Sequence, residues 1–291
     1  MRTILIVHRY LGVAIGLIMT LWCLSGFVMM YRGYPAVSPE QRLAGLQPLD
    51  LSGAKAPDLG QSPIQAFRIE MFAGRPVLRL SGESGRRTYD LKSGAEIERA
   101  SPAEAAATAQ AYAAAQGVKG RAGPPRLIRV DQWTVEGARS RGPAYRIAFQ
   151  DPEATVVYVA SRSGEVVQAT DRGSRFWAWI GAVPHWLYPR VLREHVELWS
   201  NVVIWTSVVG VFLTATGLYV GIARFRRTRD GRWSPYRGWR YWHHIAGLLF
   251  GLFTLTWVTS GLLTMNPWGL PSFPAGPRGS WSKDRWSPRS G

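Results

Sequence analysis

The sequence predicts a membrane protein: three transmembrane α-helices with an extracytoplasmic α+β domain between the first and the second. Two observations support this fold class. Three apolar runs, at 4–31, 198–223 and 242–265, reach or exceed the roughly 20 residues that cross a hydrocarbon core. Between the first two runs, short stretches of alternating apolar and polar residues are separated by turn signals, which is typical of antiparallel sheet.

Each segment follows from its local composition. The first run is too long for the apolar part of a signal peptide, and no small-x-small cleavage site follows it closely, so it is interpreted as an uncleaved anchor. The predicted segments are a first transmembrane helix (1–32), a linker (33–63), the α+β domain (64–172), an aromatic interfacial segment (173–195), the second transmembrane helix (196–223), an arginine-rich loop (224–241), the third transmembrane helix (242–266) and a disordered extracytoplasmic tail (267–291).

The α+β domain is predicted in some detail. Ser101-Pro102-x-Glu104 is an N-cap signature with proline at the first helical position, and it opens an alanine-rich helix over 101–116. Helices are expected on one face of the antiparallel sheet. Strands are predicted over 66–72, 76–81, 86–91, 126–134, 144–149, 155–160 and 165–169.

The distribution of charge predicts the orientation. The segment 224–240 holds seven arginines and one acid, Asp230, so it is placed in the cytoplasm together with the short amino terminus. A net charge of +16 also suits nucleic-acid binding, but the densest cluster is a loop beside a membrane span, where arginines meet anionic headgroups. No nucleic-acid partner is therefore predicted. The only cysteine, Cys23, lies inside the first span, which excludes an intramolecular disulfide.

The first and third spans repeat one another. Residues 8–30 align with residues 243–265 at a constant offset of 235, which pairs His8 with His243. The matched positions also include Gly12 and Gly247, Gly16 and Gly251, Trp22 and Trp257, and the dipeptides Ser25-Gly26 and Ser260-Gly261. In each copy the first two glycines follow the histidine at i+4 and i+8 and share its face.

This repeat predicts a haem site. His8 and His243 lie at one depth on two parallel spans, and imidazole is a common axial ligand of haem iron. The glycines beside them leave room for a flat macrocycle, although the same spacing also suits ordinary helix packing with interfacial histidines. A zinc or copper site is disfavoured because no carboxylate or thiolate converges at that depth. Haem b ligated by His8 and His243 is the prediction.

The other three histidines receive weaker assignments. His244 aligns with Arg9 rather than with His8, so a hydrogen-bonding role is preferred to ligation. His185 and His195 lie near the opposite interface, where either could ligate a second haem. The alternative is that they bind headgroups, or Glu194 or Glu197. The sequence contains no phosphate loop, nucleophile elbow or His-Glu-x-x-His pair, so an electron donor is expected to be another protein, a quinol or a free reduced flavin.

Several segments resemble the PepSY-associated transmembrane proteins of bacterial inner membranes. They are HRYLGVAIGLIMTLWCLSG (8–26), SPAEAAATAQAY (101–112), TVVYVASRSGEVV (155–167), RFWAWIGAVPHWLY (175–188), LWSNVVIWTSVVGVFLTATGLYVG (198–221) and WHHIAGLLFGLFTLTWVTSGLLTMNPWG (242–269).

The resemblance implies a PepSY-like outer domain and a haem-containing reductase linked to ferric-siderophore uptake. Members often continue into a second outer domain and a fourth span, whereas here residues 270–291 follow Gly269, so no ligand from a fourth span is expected. A function of another class stays open: a membrane-anchored module without catalytic activity that binds a peptide or a periplasmic protein, for example to restrain a protease.

Overall fold

The computed structural model describes residues 2–59, 64–82, 85–135 and 142–269. Three helices in this part of the chain are long and apolar enough to cross a membrane, namely α1 (Arg2–Tyr31), α7 (Val196–Arg224) and α8 (Trp239–Thr264). A domain that contains β-sheet lies between α1 and α7 in the sequence, and we call it the inserted domain. The predicted fold class is confirmed.

The chain divides into two compact units. One consists of residues 1–18 and 197–291, and the other of residues 19–196, so α1 contributes to both. Within the first unit, α7 and α8 pack through glycines. A Cβ at Gly251 would lie 2.6 Å from the Leu218 side chain, and a Cβ at Gly221 would lie 2.9 Å from Leu248. Gly251 is therefore a helix-packing position.

The inserted domain contains two antiparallel sheets. The first has the order β1-β2-β3, formed by Ile64–Phe72, Arg75–Gly82 and Gly85–Asp90. The second has the order β4-β6-β7-β8, with β5 also paired to β6. Its strands are β4 (Arg121–Ala122), β5 (Arg126–Ile128), β6 (Ala144–Gln150), β7 (Val156–Ala160) and β8 (Val166–Thr170).

Helix α3 (Pro102–Ala115) covers one face of the second sheet, as predicted. Its capping box is formed by Ser101 and Glu104. The small side chains Ala105, Ala109 and Ala113 let the helix lie close to the sheet, where they pack with fully buried Ile147, Val157 and Val159. This layer is the main apolar core of the inserted domain.

Two sequence predictions about the inserted domain are corrected. The segment 126–134 is a strand only to Ile128, because Asp131 accepts hydrogen bonds from the Trp133 amide and the Thr134 hydroxyl and closes a turn. The segment 33–63, predicted as an extended linker, contains the capped helix α2 (Pro39–Ala44). Val37 also packs against the main core, and the Gln168 side chain donates to the Pro35 carbonyl at 2.6 Å. This segment is therefore part of the domain.

The aromatic segment after β8 folds into short helices: α4 (Arg172–Ile180), α5 (Ala182–His185) and α6 (Arg190–Arg193). Asp171 caps α4 and Ser174 completes its capping box. After α8, residues Pro267–Gly269 form one 3₁₀ turn. The prediction of a disordered tail concerns residues that otherwise lie outside the described part of the chain.

Candidate functional site

The structure brings His8 and His243 together. Their ring centroids are 6.4 Å apart and their planes make an angle of 47°. Imidazole nitrogens bind metal ions at about 2.0–2.1 Å, so two rings on opposite sides of one metal have centroids about 6 Å apart. The observed separation therefore fits two imidazoles that share one ion. Both residues belong to the first unit.

The surroundings of His8 show which contacts orient its ring. A Cβ at Gly217 would lie 2.7 Å from His8 Cε1, so the ring packs against α7 at a position that only glycine allows. Thr216 Oγ1 donates to the Phe212 carbonyl at 2.9 Å and lies 3.5 Å from His8 Nδ1. The His8 ring therefore lies against α7 with Cε1 nearest to Gly217, and Thr216 Oγ1 is the hydroxyl near Nδ1.

Three of the four glycines beside the histidines face open space. A Cβ at Gly12, Gly16 or Gly247 would meet no other heavy atom within 4 Å, apart from the chain neighbours and the helix itself. Gly251 differs because Leu218 fills the space beside it. Three of the four positions therefore have no described neighbour close to Cβ, and the fourth serves helix packing.

The donor set also fits a porphyrin better than a bare metal ion. In the described ranges of the chain, no group of three or more His, Cys, Asp or Glu side chains could hold a metal ion. A porphyrin supplies four nitrogens of its own, so two imidazoles complete the coordination of its iron.

His244 is unlike its neighbour, because its ring is buried and both of its nitrogens already have partners. Nδ1 lies 2.7 Å from the hydroxyl of Ser234, and Nε2 donates to the Gly221 carbonyl at 2.8 Å. Ser234 is itself fully buried. The candidate assignment of His244 as a cofactor ligand is thereby corrected: it clamps the loop before α8 to the end of α7.

His185 has the geometry of an oriented histidine. Its ring stacks on Trp22 with centroids 4.9 Å apart and planes at 9°, and Nδ1 donates to the Trp22 carbonyl at 2.9 Å. Gly26 makes room for it, since a Cβ there would lie 3.0 Å from His185 Cε1. A histidine whose Nδ1–H donates to a carbonyl presents Nε2 as a ligand. All of these residues belong to the second unit.

His195 offers less. Its side chain is exposed between α6 and α7, and the neighbouring Glu194 pairs with Arg190 at 2.7 Å. The alternative in which Glu194 binds His195 is therefore not what the structure shows. Sequence reasoning missed Gly217, Thr216 and Ser234. Only Gly217 carried a usable signal, as a glycine in the middle of a span.

The chain is a multi-span membrane protein. It has three spans, a sheet domain inserted after the first, and paired histidines on the repeated spans. Residues 5–284 match the model of the PepSY-associated TM region, and the chain therefore belongs to the PepSY-associated transmembrane family. This confirms the family that the sequence motifs indicated. No curated protein and no solved structure matches the chain.

Proposed function

We propose that this chain is a haem b protein that carries single electrons within the membrane. His8 and His243 are the axial ligands in this proposal. The observation that carries it is their 6.4 Å ring separation, reached from corresponding positions of two repeated spans. The open faces of Gly12, Gly16 and Gly247 add the space that a porphyrin requires.

If haem is bound here, the imidazoles of His8 and His243 would hold its iron, and the group would supply one-electron transfer. The protein's part is to hold the two rings. Gly217 admits the ring of His8 against α7, and Thr216 orients its Nδ1. His244 fixes the start of α8 through Ser234 and Gly221, and so supports the neighbouring His243.

The proposed topology places the donor and the acceptor on opposite sides of the membrane. If the loop 224–241 lies on the cytoplasmic side of a bacterial inner membrane, the inserted domain is periplasmic. Electrons from a quinol, a reduced flavin or a donor protein then pass to an acceptor outside, and a ferric siderophore is the acceptor that family resemblance favours. His185 is the candidate ligand for a second haem, because its Nδ1 is fixed on the Trp22 carbonyl.

A second candidate function rests on a different observation. The inserted domain contains a cavity of about 90 Å³, lined by apolar groups such as Phe72 and Tyr112 and by Arg42 and Glu165. A cavity of this size and character suits a small side chain of a bound peptide. The alternative function is a membrane-anchored module that binds a peptide or a periplasmic protein.

The first experiment is a visible spectrum of the full chain, purified in detergent after expression with ample haem, in oxidised and reduced states. We expect a low-spin haem b spectrum. His8→Ala and His243→Ala should each abolish the low-spin signal of the haem held by these two residues, because one imidazole leaves its iron five-coordinate. His195→Ala, in an exposed histidine, is the matched control and should retain it.

Two results would contradict the proposal. One is a wild-type protein that folds normally but binds no haem under these conditions. The other is a wild-type spectrum that persists unaltered in both His8→Ala and His243→Ala, which would make the histidine repeat a packing motif. Either result leaves the peptide-binding function as the better candidate.

A further inference from the structure

A second site lies at the beginning of α8. A cavity of about 380 Å³ is lined there by Asp230, Arg232, Arg237, Gly238, Tyr241 and Trp242. The cavity is wide open, because the side chains of Arg237 and Asp230 that line it are 78% and 60% exposed. The turn that carries Asp230 is closed by hydrogen bonds between Thr228 and Arg232, with an N···O distance of 2.8 Å between backbone groups.

The charges in this cavity are arranged around one carboxylate. Asp230 Oδ2 lies 2.9 Å from Arg232 Nη2 and 3.4 Å from Arg237 Nη2, so two guanidinium groups share a single acid. The group carries a net charge of +1. Guanidinium groups bind phosphate through two parallel hydrogen bonds, using N–H groups that Asp230 does not occupy, and a carboxylate can accept from a ligand hydroxyl in addition to its ion pairs.

The cavity adjoins an apolar helix face through Trp242. Tyr241 and Trp242 form one wall, with ring centroids 5.5 Å apart in an edge-to-face arrangement. Trp242, Leu249 and Phe253 are spaced at i, i+7 and i+11 and therefore share one face of α8. Their exposed fractions are 65%, 63% and 72%. Since α8 is long and apolar enough to cross a membrane, acyl chains can follow this face.

From this arrangement we propose that the cavity binds an anionic phospholipid with a phosphoglycerol headgroup. The phosphate lies between Arg232 and Arg237, a glycerol hydroxyl donates to Asp230, and the acyl chains pass Trp242 toward Leu249 and Phe253. A soluble phosphate ester would meet the same arginines, but it would make no use of the apolar face. The proposal does not depend on haem.

The test measures binding of a fluorescent phosphatidylglycerol to the full chain held in phosphatidylcholine nanodiscs. We expect the double variant R232Q/R237Q to bind at least about tenfold more weakly than the wild type, because charge-assisted hydrogen bonds are lost. R229Q removes an exposed arginine of the same loop that does not line the cavity, and it should bind like the wild type. Thermal unfolding in phosphatidylcholine alone checks that each variant is folded.

A conservative variant keeps the proposal testable if the double variant unfolds. R232K/R237K retains the charge but loses the planar fork, and should bind with intermediate affinity. Asp230→Ala should remove the preference of the site for phosphatidylglycerol over phosphatidic acid, which lacks the second glycerol.

Equal weakening in R229Q and R232Q/R237Q would overturn the site and indicate only diffuse attraction to an anionic surface. Full competition by soluble glycerol phosphate at the same concentration would overturn the lipid and indicate a site for soluble phosphate esters.

Discussion

At the scale of single residues, the candidate site depends on glycines, which have no side chain. His8 packs at Gly217 because a Cβ there would lie 2.7 Å from its ring. Gly12 and Gly247 show the opposite case, since no described heavy atom outside the helix and the chain neighbours lies within 4 Å of a Cβ there. The two kinds of glycine therefore differ in whether another part of the described chain packs against them.

The open glycines give a test that is independent of the histidines. A Cβ at Gly12 would meet no described heavy atom within 4 Å outside its own helix and chain neighbours, and replacing glycine by leucine favours the helix by about 1 kcal/mol, so Gly12→Leu should retain the fold. If a porphyrin lies in that space, the variant should lose haem absorption almost completely. Gly261→Leu on α8, equally open, is the control and should retain it. Haem content that is equal in both variants would count against a macrocycle beside Gly12.

At the scale of elements, a network of ion pairs ties the inserted domain together. The buried carboxylate of Glu70 on β1 lies 2.6 Å from Arg79 on β2 and 3.0 Å from Arg42 on α2. Arg79 also donates to the Ser163 carbonyl at 2.6 Å, in the turn between β7 and β8. Glu165, at the end of that turn, pairs with Arg68 on β1. The network thus joins both sheets to the helix that follows the first span.

This network predicts a dependence of stability on pH. Burial alone would raise the pKa of Glu165, but the guanidinium groups of Arg79, Arg68 and Arg42 and the hydroxyl of Ser163 outweigh it and lower the pKa. The carboxylate therefore contributes stability that is fully present above its unfolded-state pKa of about 4.3 and is lost as pH falls through the lower folded-state value.

Thermal unfolding of the purified full chain at several pH values checks this. Glu165→Gln should lower the midpoint of the inserted domain at neutral pH and should weaken its further fall in acid. Glu98→Gln, at an exposed glutamate, should follow the wild type. A Glu165→Gln curve parallel to that of the wild type from neutral pH to below about pH 4 would show that the ion pairs of Glu165 do not set the acid limit.

At the scale of the whole molecule, the two copies of the repeat, on α1 and α8, have different surroundings. The Ser25 hydroxyl donates to the Trp22 carbonyl at 2.9 Å, and Ser260 donates to the Trp257 carbonyl at the same distance. On α1 the ring of His185 packs beside this serine, against Gly26. On α8 a Cβ at Gly261 would meet nothing within 4 Å. The two copies of the repeat therefore form the same hydrogen bond within each helix, and contacts with other parts of the chain make their surroundings different.

The orientation of the molecule gives the last prediction. A reporter that is active only in the cytoplasm should be active when fused after Gly231, because the surrounding loop carries seven arginines and one acid. The same reporter fused after Gly94 or Gly164, in turns of the inserted domain, should be inactive. The reverse pattern would place the inserted domain in the cytoplasm and contradict the proposed topology.

The elements that the sequence determined by itself are those with local causes. A predominantly apolar helix of 26 to 30 residues satisfies its own backbone hydrogen bonds, so composition alone identified α1, α7 and α8. The capped helix α3 was equally local, because Ser101 and Glu104 satisfy each other's backbone groups within one turn.

Only the tertiary structure decided what depends on groups distant in the sequence. The alignment at an offset of 235 paired His8 with His243, but their 6.4 Å separation depends on the packing of α7, with Gly217 against His8 and Gly251 against Leu218. Likewise, only the fold shows that both ring nitrogens of His244 have hydrogen-bond partners, Ser234 and Gly221. The physical reason is that a side-chain nitrogen is free or occupied according to its spatial neighbours, and these three residues are brought together by the antiparallel return of the chain.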